Sequence, residues 1–335
     1  MPSPVALQSG SAPALKADVA HSRGQAVTEA TAASTAAPSV LQKVAEHMKA
    51  QTTTGAVRYA KQPSDGQDPR IYVYDLPEGV DKASNLDWEQ HDVSVTDVRS
   101  AQQTFTLRDN GFQLERFEVP QDIDWQNEQQ VKERVYPLLD ALLKRVTGAT
   151  RTLIFDHTLR NGRINLDQAG KPTGRGQPVP MVHVDYTTKS GFERLDALVP
   201  QEEADRLKQT PFAAIQVWRP LKGPVDDSPL VMIDASTVDK EDLMQYAIHF
   251  PGRTGYNYAV KHNPKHKFYY AKGMNVDEAY VFVCYDSRTD RARFTPHTGI
   301  KDYNSSPNAP PRESVELRSY CFFEDLPPQQ PAMQL

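Results

Sequence analysis

The sequence predicts a mainly β member of the α+β class, and three observations carry that prediction. From residue 151 onward, short apolar runs recur between turn clusters, at 151–157, 180–186, 212–218, 229–234, 267–271, 278–285, 291–296 and 312–323. The segments that join them are mostly too short and too rich in Gly and Pro to be βαβ crossovers, which favours antiparallel pairing. Ahead of them, 127–147 carries Val131, Val135, Leu138, Leu139, Leu142, Leu143 and Val146 on one helical stripe. Eight such strands preceded by helix fit a double-stranded β-helix (a jelly roll, cupin-like) core flanked by N-terminal helices, with room at its mouth for a metal and two small molecules.

Taken in order, 71–75 (IYVYD) and 91–98 (HDVSVTDV) read as strands by their alternation, and Asp109-Asn110-Gly111 is a turn leading into Phe112 and Leu114. These residues could lie over a site as a lid or form a surface hairpin. Pro137 interrupts the helical stripe and is expected to kink it or to mark the join of two helices, and Gly148 suits a left-handed C-cap. Residues 39–50 (SVLQKVAEHMKA) have apolar positions near helical spacing and predict one short helix.

Length and composition bound the function. The 335 residues, 39% of them apolar, suffice for a full core. We expect a low-complexity, mobile tail over 1–52, rich in Ala, Ser, Thr and Pro, a single domain over 53–327 and a loose tail over 328–335. No secretory signal core is present; a transit peptide stays open because the tail has Arg and Lys, with Asp18, Glu29 and Glu46 arguing mildly against it. The net charge of −5, from 38 basic and 43 acidic residues, offers no footprint for nucleic acid or an anionic membrane, and no run is long and apolar enough to span a bilayer. Cys284 and Cys321 sit in apolar runs and read as buried thiols of a reducing compartment, so the expected location is cytoplasmic.

The chemistry begins at Val182-His183-Val184-Asp185-Tyr186. On a strand, residues two apart share a face, so His183 and Asp185 would present an imidazole nitrogen and a carboxylate oxygen to one point. A third ligand from another strand would complete the two-His-one-carboxylate set of non-haem Fe(II) oxygenases, and His297 in FTPHTGI lies far enough along the chain to supply it. Arg312 and Ser314 then open the last strand on one face, a guanidinium and a hydroxyl suited to the distal carboxylate of 2-oxoglutarate. Arg318 has the same parity and is the rival anchor. Tyr270 is a candidate donor to the same cosubstrate, with Tyr269 facing the opposite way. Arg219, Gln216 and Phe112 are candidate substrate contacts, Arg219 having a structural ion pair as its equal alternative. His157 reads either as a group behind the ligands or as a structural histidine. His249, His262 and His266 read as surface residues.

On these motifs the chain resembles a known family. DNGFQLE at 109–115, RVTGATRTLIFDHTLR at 145–160, VHVDYT at 182–187, QVWRPLKGPVDDSPL at 216–230, FVCYDS at 282–287, HTGIKDY from His297 and PPRESVELR ending at Arg318 are similar to the fungal and bacterial hydroxylase/desaturase family, AsaB-type and gibberellin-desaturase-like. The resemblance covers some four-fifths of the chain. It implies an Fe(II)/2-oxoglutarate-dependent oxygenase of secondary metabolism that uses O2, releases succinate and CO2, and oxidises a C–H bond of a small molecule by hydroxylation, desaturation or cyclisation. Gln216 departs from the Asn the family often carries, which leaves open whether it contacts cosubstrate or substrate. The Arg content hints at a carboxylate-bearing substrate. Two alternatives stand beside this reading: a cupin-like metalloenzyme that does not use 2-oxoglutarate, and a non-catalytic partner subunit of the same fold.

Overall fold

A computed structural model describes residues 51–161 and 178–328. The expected helix at 39–50 and almost all of both expected tails lie outside the described residues. In chain order the strands are β1 (Thr52–Lys61), β2 (Arg70–Tyr72), β3 (Asp87–Asp97), β4 (Phe112–Arg116), β5 (Arg151–Asn161), β6 (His183–Val184), β7 (Phe212–Pro220), β8 (Leu230–Ile233), β9 (Leu243–Phe250), β10 (Arg253–Val260), β11 (Phe268–Tyr270), β12 (Glu278–Asp286), β13 (His297–Gly299), β14 (Lys301–Asp302) and β15 (Glu313–Phe322). Among the described residues four α-helices accompany them: α1 (Glu128–Arg134), α2 (Tyr136–Thr147), α3 (Thr188–Asp196) and α4 (Gln201–Leu207).

The chain is mainly β, and its strands form two sheets. One has ten strands in the order β14-β1-β3-β11-β8-β13-β6-β10-β9-β2, the other five in the order β4-β12-β7-β15-β5. Pairing is antiparallel except at β3/β11 and β2/β9. The large sheet curls: Arg58 of β1 bridges Met181 just before β6, although four strands separate β1 from β6 along the sheet. Aromatic side chains from both sheets, among them Phe112, Trp218, Tyr280 and Phe282 from the small one and Tyr258 and Tyr269 from the large one, make one core cluster. The reverse face of the small sheet is covered by α1 and α2, whose Val131, Leu139, Leu142 and Leu143 pack on Ile215, Val217, Val281, Val315 and Leu317.

The helical stripe at 127–147 is two helices. They meet at Val135, with Pro137 in the first turn of α2, where a missing N–H costs no hydrogen bond, and Gly148 caps the end at φ 73°. Several expectations fail for local reasons. The run 180–186 forms a strand only over His183–Val184, with one isolated bridge at Met181, and 291–296 stays irregular, the strand beginning at His297. Strand β1 was hidden by Gly55, which reads as a break. A Cβ there would lie 2.5 Å from the Lys301 carbonyl oxygen, so the glycine permits close approach of β14 rather than ending the strand. The β9–β10 hairpin turns at Pro251-Gly252, Gly252 having φ 75°, and carries strand-poor residues such as Gly255 and Asn257. Helices α3 and α4 were not expected, although Thr187 and Ser190 form a capping box that the sequence displays.

Leu143 is fully buried where α2 meets the small sheet. Leu143→Ala is expected to lower the unfolding free energy by about 2–5 kcal/mol, read as a lower midpoint in urea with the slope unchanged.

Candidate active site

Three distant segments converge at one point. Strand β6 carries His183, Asp185 follows it by two residues, and β13 pairs antiparallel with β6 so that His297 stands directly across from His183. The imidazole centroids are 4.4 Å apart, His183 Nε2 is 3.6 Å from Asp185 Oδ1, and one ligand atom from each of the three residues lies within 4.8 Å of the others. Both histidines are buried.

The backbone decides which nitrogens face this point. His183 Nδ1 donates to the Met181 carbonyl at 2.8 Å, and His297 Nδ1 donates to the Thr295 carbonyl at 3.0 Å. A carbonyl only accepts, so each Nδ1 carries the proton and each Nε2 keeps a lone pair. Burial first, and then the neighbouring His183, push the His297 imidazole down to about 4, so that it is neutral at ordinary pH. Burial alone would raise the Asp185 carboxyl, but Arg318 and the two imidazoles outweigh it and hold it below the usual carboxylate range. Two imidazoles, each held through its Nδ1–H, and one ionised carboxylate make a donor set that suits a divalent transition metal, and the residues present fit such an ion.

Thr295 is itself held. Its hydroxyl donates to the Gly111 carbonyl at 2.7 Å, and Gly111 (φ 83°) has no room for a side chain, since a Cβ would meet Thr295 Oγ1 at 2.4 Å. Asn110 beside it donates to Asp234 at 3.0 Å. The turn at Asp109-Asn110-Gly111 thus supports the carbonyl that orients His297.

The remaining predicted residues divide by sheet face. Arg312 and Ser314 are buried, with Arg312 Nη1 donating to the Ser228 carbonyl at 2.6 Å and the guanidinium 5.3 Å from the Trp218 ring. A Cβ on Gly299, two residues beyond His297, would be 3.7 Å from Arg312 Nη1. Burial lowers the Arg312 guanidinium to about 10. Arg312 Nε, Ser314 Oγ, Trp218 Nε1 and Tyr280 Oη are buried polar atoms without a hydrogen-bond partner. Tyr280 and Glu316 stand directly across from Trp218 in the small sheet, with Ser314 two residues before Glu316, so three of these four atoms belong to one sheet face. Unpaired buried donors of this kind cost free energy unless an acceptor joins them, and a carboxylate is the acceptor that fits a guanidinium, a hydroxyl and an indole N–H together.

Gln216 is buried on the same face, across from Phe282, whose ring is 4.7 Å from His297, and it accepts a weak hydrogen bond from Cys284 Sγ at 3.6 Å. Phe112 is a core residue, fully buried and stacked at 5.0 Å on Phe105, which corrects both the lid and the surface-hairpin expectations. Arg219 is not brought to the site. Strand alternation turns it to the helix-covered face, where it donates to the Val276 carbonyl and lies over Phe117 and Trp125. Tyr270 is likewise turned away. Tyr269 pairs across from Met232, which pairs with His297, so Tyr269 has the face of His297 and Tyr270 packs among Val57, Val95 and Phe268 on the reverse.

Arg318 acts on the Asp185 carboxylate through charge. Its guanidinium donates to Asp156 at 3.0 Å, Thr158 at 2.7 Å and Glu316 at 2.5 Å, and Glu316 also accepts two 2.9 Å bonds from Arg160. The rival anchor is thus already engaged by two carboxylates and a hydroxyl. His157 accepts from or donates to Tyr136 Oη at 3.0 Å on the helix-covered face. His266, expected at the surface, is buried and bonded to Tyr59 and Asp242, and His91, His262 and Glu89 gather beside it.

A cavity of about 850 Å³ opens on His183 and Asp185, lined by both sheets' edges and by α3. His297, Arg312 and Ser314 do not line it. Sequence reasoning missed its walls and also missed Trp218 and Tyr280, whose positions follow from the alternation that places Gln216 inward.

The comparisons with known proteins agree with this geometry. The family described as an oxidoreductase/YMDC permease-like domain matches residues 57–322. The hydroxylase/desaturase efuI of Hormonema carpetanum is 30% identical over 298 residues, 83% of this chain and 97% of the relative. The Fe(II)/2-oxoglutarate-dependent dioxygenase nvfI of Aspergillus novofumigatus is 29% identical over 269 residues, 78% and 94% of the two chains. A solved structure of the iron and alpha-ketoglutarate-dependent endoperoxidase NvfI is 27% identical and superposes with a TM-score of 0.71, covering 81% of this chain and 98% of that one.

His297 also gives the metal-free protein a pH dependence. Its folded value of about 4 lies below the ordinary 6.5, so between them the unfolded chain binds a proton that the folded chain refuses. Stability is expected to fall as pH drops from 6.5 towards 4, by up to about 1.4 kcal/mol per pH unit from this residue, and chemical denaturation of the metal-free His297→Gln variant should lack that component. Together, the matched family, the 30% identical relative and the convergence of His183, Asp185 and His297 place the chain in the hydroxylase/desaturase family of Fe(II)/2-oxoglutarate-dependent oxygenases.

Proposed function

We propose that His183, Asp185 and His297 hold Fe(II), that Arg312 and Ser314, with Trp218, receive the distal carboxylate of 2-oxoglutarate, and that the cavity opening on His183 and Asp185 takes a small-molecule substrate. The observation that carries this is the orientation of the two imidazoles: main-chain carbonyls accept hydrogen bonds from both Nδ1–H groups and leave both Nε2 atoms facing Asp185. The unpaired donors at Arg312, Ser314 and Trp218 support the cosubstrate assignment.

When bound, iron with 2-oxoglutarate and O2 supplies the oxidising power, the 2-oxo acid going to succinate and CO2 while an unactivated C–H bond is oxidised. The chain's own residues do the rest. His183, Asp185 and His297 would hold the ion with three ligand atoms, which would leave it positions for small molecules. Arg312 meets one end of the cosubstrate and sets its direction. Arg318 keeps Asp185 ionised while its own donors are spent on Asp156, Thr158 and Glu316, so it steadies the ligand without competing for the cosubstrate. Phe282, close against the His297 ring, keeps that side dry. The outcome on substrate is hydroxylation, desaturation or cyclisation, according to which carbon the cavity presents.

The two sheets we read as a double-stranded β-helix, supported by the curl that joins Arg58 to Met181 and by the likeness to NvfI, with α1 and α2 as its flanking helices and 53–327 as one oxygenase domain. Two buried free thiols support a reducing compartment, the cytoplasm. No helix among the described residues is long and apolar enough to cross a membrane.

Anaerobic dialysis against Fe(II) and a succinate-release assay test the reading. His183→Ala and His297→Ala are expected to lose iron binding and succinate formation, while Arg312→Gln should keep iron and raise the KM for 2-oxoglutarate by about 30–150-fold, the range for lost charged contacts of about 2–3 kcal/mol. Succinate release that survives either histidine change, or iron binding that does, refutes the ligand assignment. Gly111→Ala, acting through Thr295, is expected to weaken iron binding by about 10–100-fold with the fold retained, as measured by dialysis and circular dichroism.

A further inference from the structure

The cavity wall carries five cations, Arg160, Lys189, Arg194, Arg253 and Arg318, against the acids Asp156, Asp185 and Glu193. Most of these charges are already matched. Arg318 binds Asp156 and Glu316, Arg160 binds Glu316 through two nitrogens, and Lys189 lies 3.5 Å from Glu193. Asp185 faces the two imidazoles.

Arg194 and Arg253 stand apart from this pattern. Among the described residues neither guanidinium has a carboxylate or hydrogen-bond partner; each instead lies over a phenyl ring of the cavity, Arg194 at 5.2 Å from Phe155 and Arg253 at 3.8 Å from Phe250. They come from different elements, Arg194 from the last turn of α3 and Arg253 from the first residue of β10 at the tip of the β9–β10 hairpin. They are near enough to repel: partial burial, and then the Arg194 charge, push the Arg253 guanidinium below its ordinary value. Two like charges on one cavity wall, neither matched by a carboxylate, are unfavourable until an anion sits between them. The wall beside them is apolar, with Ile71, Val73, Ile248 and Phe250 from the β2/β9 edge and Met181 next to the metal-facing His183.

We infer that Arg194 and Arg253 form a carboxylate-binding clamp at the cavity mouth, which selects an apolar small molecule bearing one carboxylate and directs the far part of that molecule towards His183 and Asp185. The inference rests on the cavity being the substrate site. A guanidinium placed over an aromatic ring still has N–H groups to offer a planar carboxylate. The cavity volume of about 850 Å³ suits a molecule of drug size, longer than the clamp itself, so the acid fixes one end while apolar contact fills the remainder.

The test compares 1-pyrenebutyrate with its neutral isostere 1-pyrenebutyramide, by fluorescence titration of the protein loaded anaerobically with Fe(II) and 2-oxoglutarate at low ionic strength. Wild type should bind the acid about tenfold more tightly than the amide. The double variant Arg194→Gln/Arg253→Gln should bind both alike, and Arg194→Lys/Arg253→Lys should regain part of the preference because the charge returns. A wild type that does not take up the acid, or that binds acid and amide equally, overturns the clamp, and so does a Gln double variant that keeps the preference. Iron and 2-oxoglutarate retention, measured by dialysis on the same proteins, reports separately on the metal reading. If wild type retains neither, that reading fails, and the acid–amide comparison, repeated without them, still decides the clamp.

Discussion

Two main-chain carbonyls, those of Met181 and Thr295, are what the site depends on. Each lies two residues before a histidine and accepts that histidine's Nδ1 proton, so each ring is turned and its tautomer chosen by its own strand. The antiparallel pairing of β13 with β6 then sets the rings across from one another. Nothing in an isolated His-x-Asp motif does this. The ladder between β6 and β13 is short, and its hold on His297 is reinforced through Thr295 by the carbonyl of Gly111, at a position where the backbone is left-handed and a side chain has no room.

Around that pair, electrostatics and burial act in opposite senses. Burial strips protons from imidazole and would add one to Asp185, and the ionised carboxylate survives because Arg318 is close. Arg318 in turn is buried, and the penalty for burying a guanidinium is offset by Glu316 and Asp156. Arg160 completes the neutralisation of Glu316. The network is internally satisfied, in contrast to Arg312, Ser314 and Trp218, which are equally buried and retain unpaired donors. That contrast separates Arg318, whose charge is matched by carboxylates, from Arg312, whose Nε has no partner.

The strand alternation also explains which inferences from sequence reached the site and which did not. Arg312 and Ser314 sit on the inward face, as their two-residue spacing indicates, and so does Gln216. The same rule applied to QVWRP puts Trp218 inward and Arg219 outward, towards α1 and α2, where its charge is met by the Val276 carbonyl and two aromatic rings. Tyr269 and Tyr270 present the identical choice, settled only by the register of β11 against β8. A one-residue change of register exchanges the faces, so a short run such as FYY contains both answers until its neighbours are known.

From the sequence by itself came the mainly β character, the helix pair joined near Pro137, the left-handed cap at Gly148, and the residue types able to bind iron and a 2-oxo acid, because these follow from local geometry and from the chemistry of individual side chains. Only the tertiary structure decided that residues 183 and 297 meet, that Arg318 is spent on carboxylates, and that Arg194 and Arg253 share a cavity rim. Those are relations between strands and helices far apart in the chain, fixed by register and by burial, and no local pattern encodes them.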